Sequence, residues 1–262
     1  MTEGEIRVGL VGFGALGRFL AERLEAEPGY RLVWIYNRTP VAHKLFRTTV
    51  TGADTDLVVE VAHPDVLQAL QLLGLGCDVF VGSPTCFAAH EAHVPADVAC
   101  YVPVGALWGA QDIAKMQRSG TLEGLTVVMA KHPSHLASVC GEVRARLDRY
   151  VADETQTGPC ELYRGPVGPL CPQAPNNVNT LACGALVGLG FEKTEGVLIA
   201  DKSATGHHTV TVQVRGRNGF KVDTVRSNPA QLGAVTGSAT FMSFWNSLKR
   251  AKGMAKGELH VV

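Results

Sequence analysis

The sequence predicts an α/β fold in which an N-terminal doubly wound parallel sheet is followed by a C-terminal mixed α/β domain. Three observations predict it. Short apolar strands alternate with helical stretches over the first hundred residues, the strand ends carry glycine or polar tips, and the texture changes after about residue 110. Ile6 to Val11 is a short apolar strand that runs directly into Gly12-Phe13-Gly14-Ala15-Leu16-Gly17. Leu16 to Ala26 then has apolar residues at helical steps and stops at Pro28-Gly29. Arg31 to Tyr36 is the second strand, which completes a βαβ unit of about 30 residues. Further strands are expected at Asp56 to Val61, Cys77 to Val81 and Ala99 to Val102. A helix is expected over Asp65 to Leu73, and another after Gly82-Ser83-Pro84-Thr85.

Beyond residue 110, Leu125 to Lys131, Val197 to Asp201, Thr209 to Arg215 and Phe220 to Val225 have alternating, β-branched character, the mark of a second sheet. Asn179 to Leu189 reads as a helix of small residues. Ser238 to Lys249 reads as an amphipathic helix, preceded by the glycine-loop-like Ala234 to Ser238. These features divide the chain into residues 1–108, a dinucleotide-binding domain, residues 109–235, a substrate and dimerisation domain, and residues 236–262, a helix returning to the first domain.

Composition narrows the function classes. Of 262 residues, 46% are hydrophobic and 18% charged, enough to bury a sizeable core. Twenty-four basic residues balance 24 acidic ones, and no Lys/Arg run suggests a nucleic-acid footprint. Lys249-Arg250-Ala251-Lys252 reads as the solvated end of a helix, where cations complement the dipole. No apolar run approaches the ~20 residues that span a bilayer, and the first residues lack a signal-peptide pattern. The seven cysteines contain no Cys-x-x-Cys pair. Reduced thiols in a cytoplasmic protein fit better than disulfides or a metal site.

A Gly-x-Gly-x-x-Gly loop between a strand and a helix is the fingerprint of dinucleotide binding. Gly12 allows the tight turn, Gly14 lets the backbone approach a pyrophosphate, and Gly17 lets the helix pack on the strand. Phe13, Ala15 and Leu16 complete the loop. An acid at the end of the second strand would favour NAD. Neutral Asn37 followed by Arg38 instead admits the 2′-phosphate of NADP, so NADP or NAD is the expected cofactor. Arg38 is otherwise a solvated cation.

Ala62 and His63 lie at a strand end, as does Ser83. His63 is either a loop residue stiffened by Pro64 or a ligand contact, and Ser83 is either a helix cap or a contact. Asn177 and Asn179 open a helix and serve as caps or bind a carboxylate or carboxamide. His207-His208 is either a surface pair or the source of a general base that titrates near neutral pH. Cys86, with no base partner in view, reads as packing.

Several segments together resemble the L-aspartate dehydrogenase family, its animal branch in particular. They are Arg7 to Gly14, Asp56 to Pro64, Gly82-Ser83-Pro84, Gly105 to Ile113, Gly158 to Pro172, Ala174 to Thr180, Val197 to Asp201 and Asn228 to Thr240. The resemblance implies an N-terminal Rossmann domain, a C-terminal domain like that of dihydrodipicolinate reductase, and a homodimer. It implies oxidation of L-aspartate to iminosuccinate, which water converts to oxaloacetate and ammonia. It places cofactor contacts on Ala106 and on the Asn177/Asn179 segment, and the catalytic histidine on His208, with His207 competing. Two departures stand out: Asn176 replaces a common arginine, and Asn37 a common acid. The alternatives are an oxidoreductase of another amino or imino acid, and a non-catalytic NADP-binding redox sensor.

Overall fold

The structure, a computed structural model, describes residues 4–63, 72–89, 94–230 and 238–262. The helix expected over Asp65 to Leu73 lies outside the described residues except for its last two positions. Ala234 to Ser238 lies outside them except for Ser238.

The chain runs β1 (Ile6–Val11), α1 (Ala15–Ala26), β2 (Tyr30–Tyr36), β3 (Phe46–Arg47), β4 (Leu57–Glu60), β5 (Asp78–Val81) and β6 (Cys100–Val102). The second part runs α2 (Ala110–Arg118), β7 (Leu122–Lys131), α3 (Gly141–Ala152), β8 (Cys160–Pro166), α4 (Asn179–Val187), β9 (Glu195–Ala200), β10 (His207–Gly216) and β11 (Lys221–Pro229). The chain closes with α5 (Ser238–Arg250) and β12 (Leu259–Val261). The helix expected after Thr85 is a 3-10 turn, Pro84–Ala88.

The first sheet is parallel throughout, in the order β12-β6-β5-β4-β1-β2-β3. The run 3-2-1-4-5-6 is the nucleotide-binding order, whose switch point lies between β1 and β4. Val8, Leu10, Leu57, Val58, Val59 and Phe80 are essentially inaccessible, because strands covered on both faces must be apolar on both.

The second sheet has the order β11-β10-β7-β9-β8 and mixed polarity. β7 and β9 are parallel and the other pairs antiparallel. Along β10, Val210, Val212 and Val214 face the core with Leu125, Val127 and Met129 of β7, while Thr209, Thr211 and Gln213 turn to the other face. Val143, Leu147 and Tyr150 of α3 pack into the same core at helical spacing.

The C-terminal segment joins the first core. Phe244, Trp245 and Leu248 of α5 pack among Leu10, Leu20 and Phe80, and β12 adds to β6 as a parallel strand. Ser243 Oγ donates to the Gly105 carbonyl at 2.8 Å, which ties α5 to the loop after β6. Replacing Leu248, fully buried in this core, with Ala should destabilise the protein by about 2–5 kcal/mol through lost burial and a cavity. Urea unfolding reads this loss. A change below about 0.5 kcal/mol, the size expected at an exposed site, would mean that α5 does not pack there.

Candidate active site

A cleft of about 450 Å³ opens between the carboxyl ends of the first sheet and one end of the second. Its first wall is the glycine turn. Gly12 has φ +101°, and a Cβ there would sit 2.8 Å from the Ala62 backbone. A Cβ at Gly17 would lie 2.1 Å from the Gly12 carbonyl oxygen, so only glycine lets α1 approach β1 this closely. Gly14 is different: a Cβ there meets nothing within 4 Å. Gly14 is also the N-cap of α1 and offers no side-chain cap, so the first-turn amides are suited to an anion. Gly14, Ala15 and Leu16 line the cleft with Ala62, Ser83 and Ala106.

The other wall comes from the second sheet and α4, with Lys131, Asn177, Asn179, His208 and Asn228. His208 is 4% exposed and stands opposite Asn228 across the β10–β11 ladder. His207, the preceding residue, is on the opposite face and half-buried. Lys131, at the end of β7, donates from Nζ to Asn177 Oδ1 at 3.3 Å, and burial pushes its ammonium down to about 7. Asn177 Nδ2 donates to Ser138 Oγ at 2.8 Å, which fixes its amide. Asn179 Oδ1 and Asn228 Oδ1 are buried without a hydrogen-bond partner.

The remaining expected residues stand beside the cleft rather than on its wall. Gly12 and Gly17 shape the turn. Phe13 donates its N–H to Asn37 Oδ1 at 3.0 Å, and Asn37 Nδ2 donates to the Thr39 carbonyl at 2.8 Å. Arg38 is exposed at the end of β2. His63 is exposed and touches the site only through its N–H, which donates to Glu60 Oε1 at 3.1 Å. Cys86 is buried, and burial followed by the nearby Glu60 raises its pKa, so it remains a packed thiol.

The comparisons with known proteins fit this geometry. Residues 112–247, more than half the chain, match the family described as Aspartate dehydrogenase, C-terminal. The Aspartate dehydrogenase domain-containing protein of Danio rerio is 41% identical, over 97% of both chains. The chain belongs to the aspartate dehydrogenase family. An L-aspartate dehydrogenase of the archaeon Methanococcoides burtonii is 24% identical, over 94% of this chain and 96% of that one. The crystal structure of aspartate dehydrogenase from Thermotoga maritima shares the fold, with a TM-score of 0.67, 18% identity and coverage of 95% and 97%.

Sequence reasoning missed Glu60, Lys131 and His135. Glu60 is 1% exposed at the end of β4. Its Oε1 accepts from the N–H groups of Ala62 at 2.7 Å and His63 at 3.1 Å and from Ser83 Oγ at 3.3 Å, so one carboxylate braces two loops of the cleft. Its Oε2 is buried with no partner. Burial outweighs these donors and raises the carboxyl to about 7.

A carboxyl raised in the folded state holds its proton more tightly there than in the unfolded chain. Its ionisation cost is absent below the unfolded value of 4.5 and complete once pH passes about 7. Glu60→Gln should therefore gain stability relative to the parent between pH 5 and pH 8, by on the order of 2–3 kcal/mol. Urea unfolding of both proteins at the two pH values measures the gap. A gap that stays constant would mean that Glu60 ionises as an ordinary surface carboxylate.

Proposed function

We propose that the protein oxidises L-aspartate to iminosuccinate with NAD or NADP, after which water yields oxaloacetate and ammonia. The observation that carries this reading is the pairing, in one cleft, of the uncapped α1 N-terminus behind Gly14 with the buried His208 of the second sheet. Family membership supports the substrate.

The residues present fit a dinucleotide. The open space at Gly14 and the amides of Ala15 and Leu16 suit a diphosphate. Ala62, Ser83 and Ala106 flank its path, and Asn177 and Asn179 offer amides for the nicotinamide end. The nicotinamide supplies the hydride acceptor. Asn37 is a neutral amide held in place by its two hydrogen bonds, and the exposed Arg38 beside it can pair with a 2′-phosphate, which favours acceptance of NADP.

At the substrate end, Lys131 is the one Lys or Arg among the described residues that line the cleft, and it receives a substrate carboxylate. His208 accepts a proton from the substrate ammonium, which frees the nitrogen lone pair to form the C=N bond as hydride leaves the α-carbon. The two walls hold these groups in attack geometry and exclude water until the imine has formed. We also propose a homodimer. The second sheet turns Thr126, Val128, Ala130, Ile199 and Thr211 outward as a half-buried, weakly polar face suited to a second copy.

His208→Ala should cut kcat for aspartate by roughly 10²–10⁴-fold while dinucleotide affinity holds, and His207→Ala should be mild. Steady-state rates with L-aspartate and direct cofactor titration separate the cases. A fully active His208→Ala protein would rule out histidine base catalysis, and a dead His207→Ala protein would move the base to its neighbour.

Arg38→Ala should weaken NADP binding more than NAD binding, and Asn37→Asp should disfavour NADP by repulsion. Isothermal titration with both dinucleotides measures the ratio. An unmoved ratio in both variants would place the 2′ position elsewhere.

A further inference from the structure

His135 lies in the 3-10 turn Pro133–Leu136 after β7, with its ring fully buried. Its Nδ1 is 2.6 Å from Nε2 of His208, although 73 residues separate the two in the chain. The ring centroids are 4.6 Å apart and the planes cross at 68°, the arrangement of a hydrogen bond rather than a stack. The turn itself is well anchored. The His135 N–H donates to the His132 carbonyl at 2.9 Å, His132 Nδ1 accepts from the Ser134 N–H at 3.2 Å, and Leu136 is fully buried. Arg144 of α3 donates to the carbonyls of Leu136 and Ala137.

We propose that His135 is a positioning residue for His208: a neutral imidazole that accepts the Nε2–H of His208, fixes its tautomer and supports the imidazolium formed when His208 takes the substrate's proton. This rests on the reading of His208 as the base. A bond between two imidazole nitrogens holds one proton, with one ring as donor and the other as acceptor. When a second proton arrives, the ring that is cheaper to charge takes it.

Burial, then His132, then Lys131 all lower the affinity of His135 for a proton. Among the described residues, the charged and titratable groups around it are Lys131 and His132 on its own segment, His208 on β10 and Arg144 on α3. None of these favours a cation at His135. His208 lines the cleft and His135 does not, so the substrate's proton arrives on His208, whose Nε2–H then makes a charge-assisted bond to His135 Nδ1. In this tautomer the remaining His135 proton sits on Nε2, a buried atom without a partner. That unmet donor costs stability, so packing alone gives no reason for the ring to be there.

The test uses three full-length variants. His135→Phe removes the acceptor and keeps a ring, His135→Asp replaces the acceptor with an anion, and His135→Gln keeps a neutral carbonyl acceptor. Two quantities are read: the pH dependence of kcat/KM with L-aspartate, and the ¹⁵N NMR titration of the His208 imidazole. His135→Phe should move the apparent pKa of His208 down by roughly one unit and lower kcat by roughly 10–100-fold, the loss seen when a partner that orients an imidazole is removed. His135→Asp should move it up by about one unit or more. His135→Gln should restore most of the rate, and cofactor affinity should hold in all three. Rates that fall in every variant with no movement of the acid limb would overturn the inference, since that is the signature of a structural role. Should the parent fail to oxidise aspartate, the proposed reaction falls, and the NMR titration alone still decides this coupling. A His208 pKa that is the same in the Phe and Asp variants would reject it.

Discussion

The close approach of α1 to β1 is the constraint on which the rest of the site depends. Gly17 packs so near the Gly12 carbonyl oxygen that no side chain fits between them, and Gly12 itself passes tightly over Ala62. The first turn of α1 is thereby fixed at the switch point between β1 and β4, with its amides directed at the cleft. The second sheet then needs only to bring the end of β10 to face that turn. α5 and β12 return to the first core, and α5 also reaches β11, where Asn228 Nδ2 donates to Thr240 Oγ1 at 3.1 Å.

Buried ionisable groups divide the labour across the cleft. On the glycine-turn side, Oε1 of Glu60 accepts from the loops that carry Ala62, His63 and Ser83 and so stiffens that wall. On the opposite side, Lys131 and His135 are desolvated beside His208. Cationic groups in such a setting hold their protons weakly, and an arriving dicarboxylate would counter that desolvation cost. In the proposed reaction, substrate binding and proton transfer would thus be coupled through the same few side chains.

Much of the fold is legible in the sequence because strong local signals coincide with it. β1, β2, β4 and β5 are apolar runs ending in turn residues, and the glycine loop sits where a strand gives way to a helix. Other elements leave weaker traces. β12 spans three residues, too short for any periodicity, and its place beside β6 is purely tertiary. α3 is rich in charge, and its buried stripe of Val143, Leu147 and Tyr150 is visible only when read at helical steps. At the site, Gly14 and His208 can be singled out from motif and resemblance. Lys131 looks like a solvated strand end, and His135 becomes meaningful only once folding brings it to His208. Glu60 reads as part of an apolar strand until its three hydrogen-bond donors are seen.

The central claim is that hydride leaves the α-carbon of aspartate inside this cleft. The most direct measurement is to incubate the protein with L-aspartate deuterated at the α-carbon and oxidised NAD or NADP, then locate the label by NMR. The account predicts deuterium at nicotinamide C4 in step with oxaloacetate and ammonia. Reduced dinucleotide without deuterium, or no reduced dinucleotide from a protein that binds the cofactor, would contradict it.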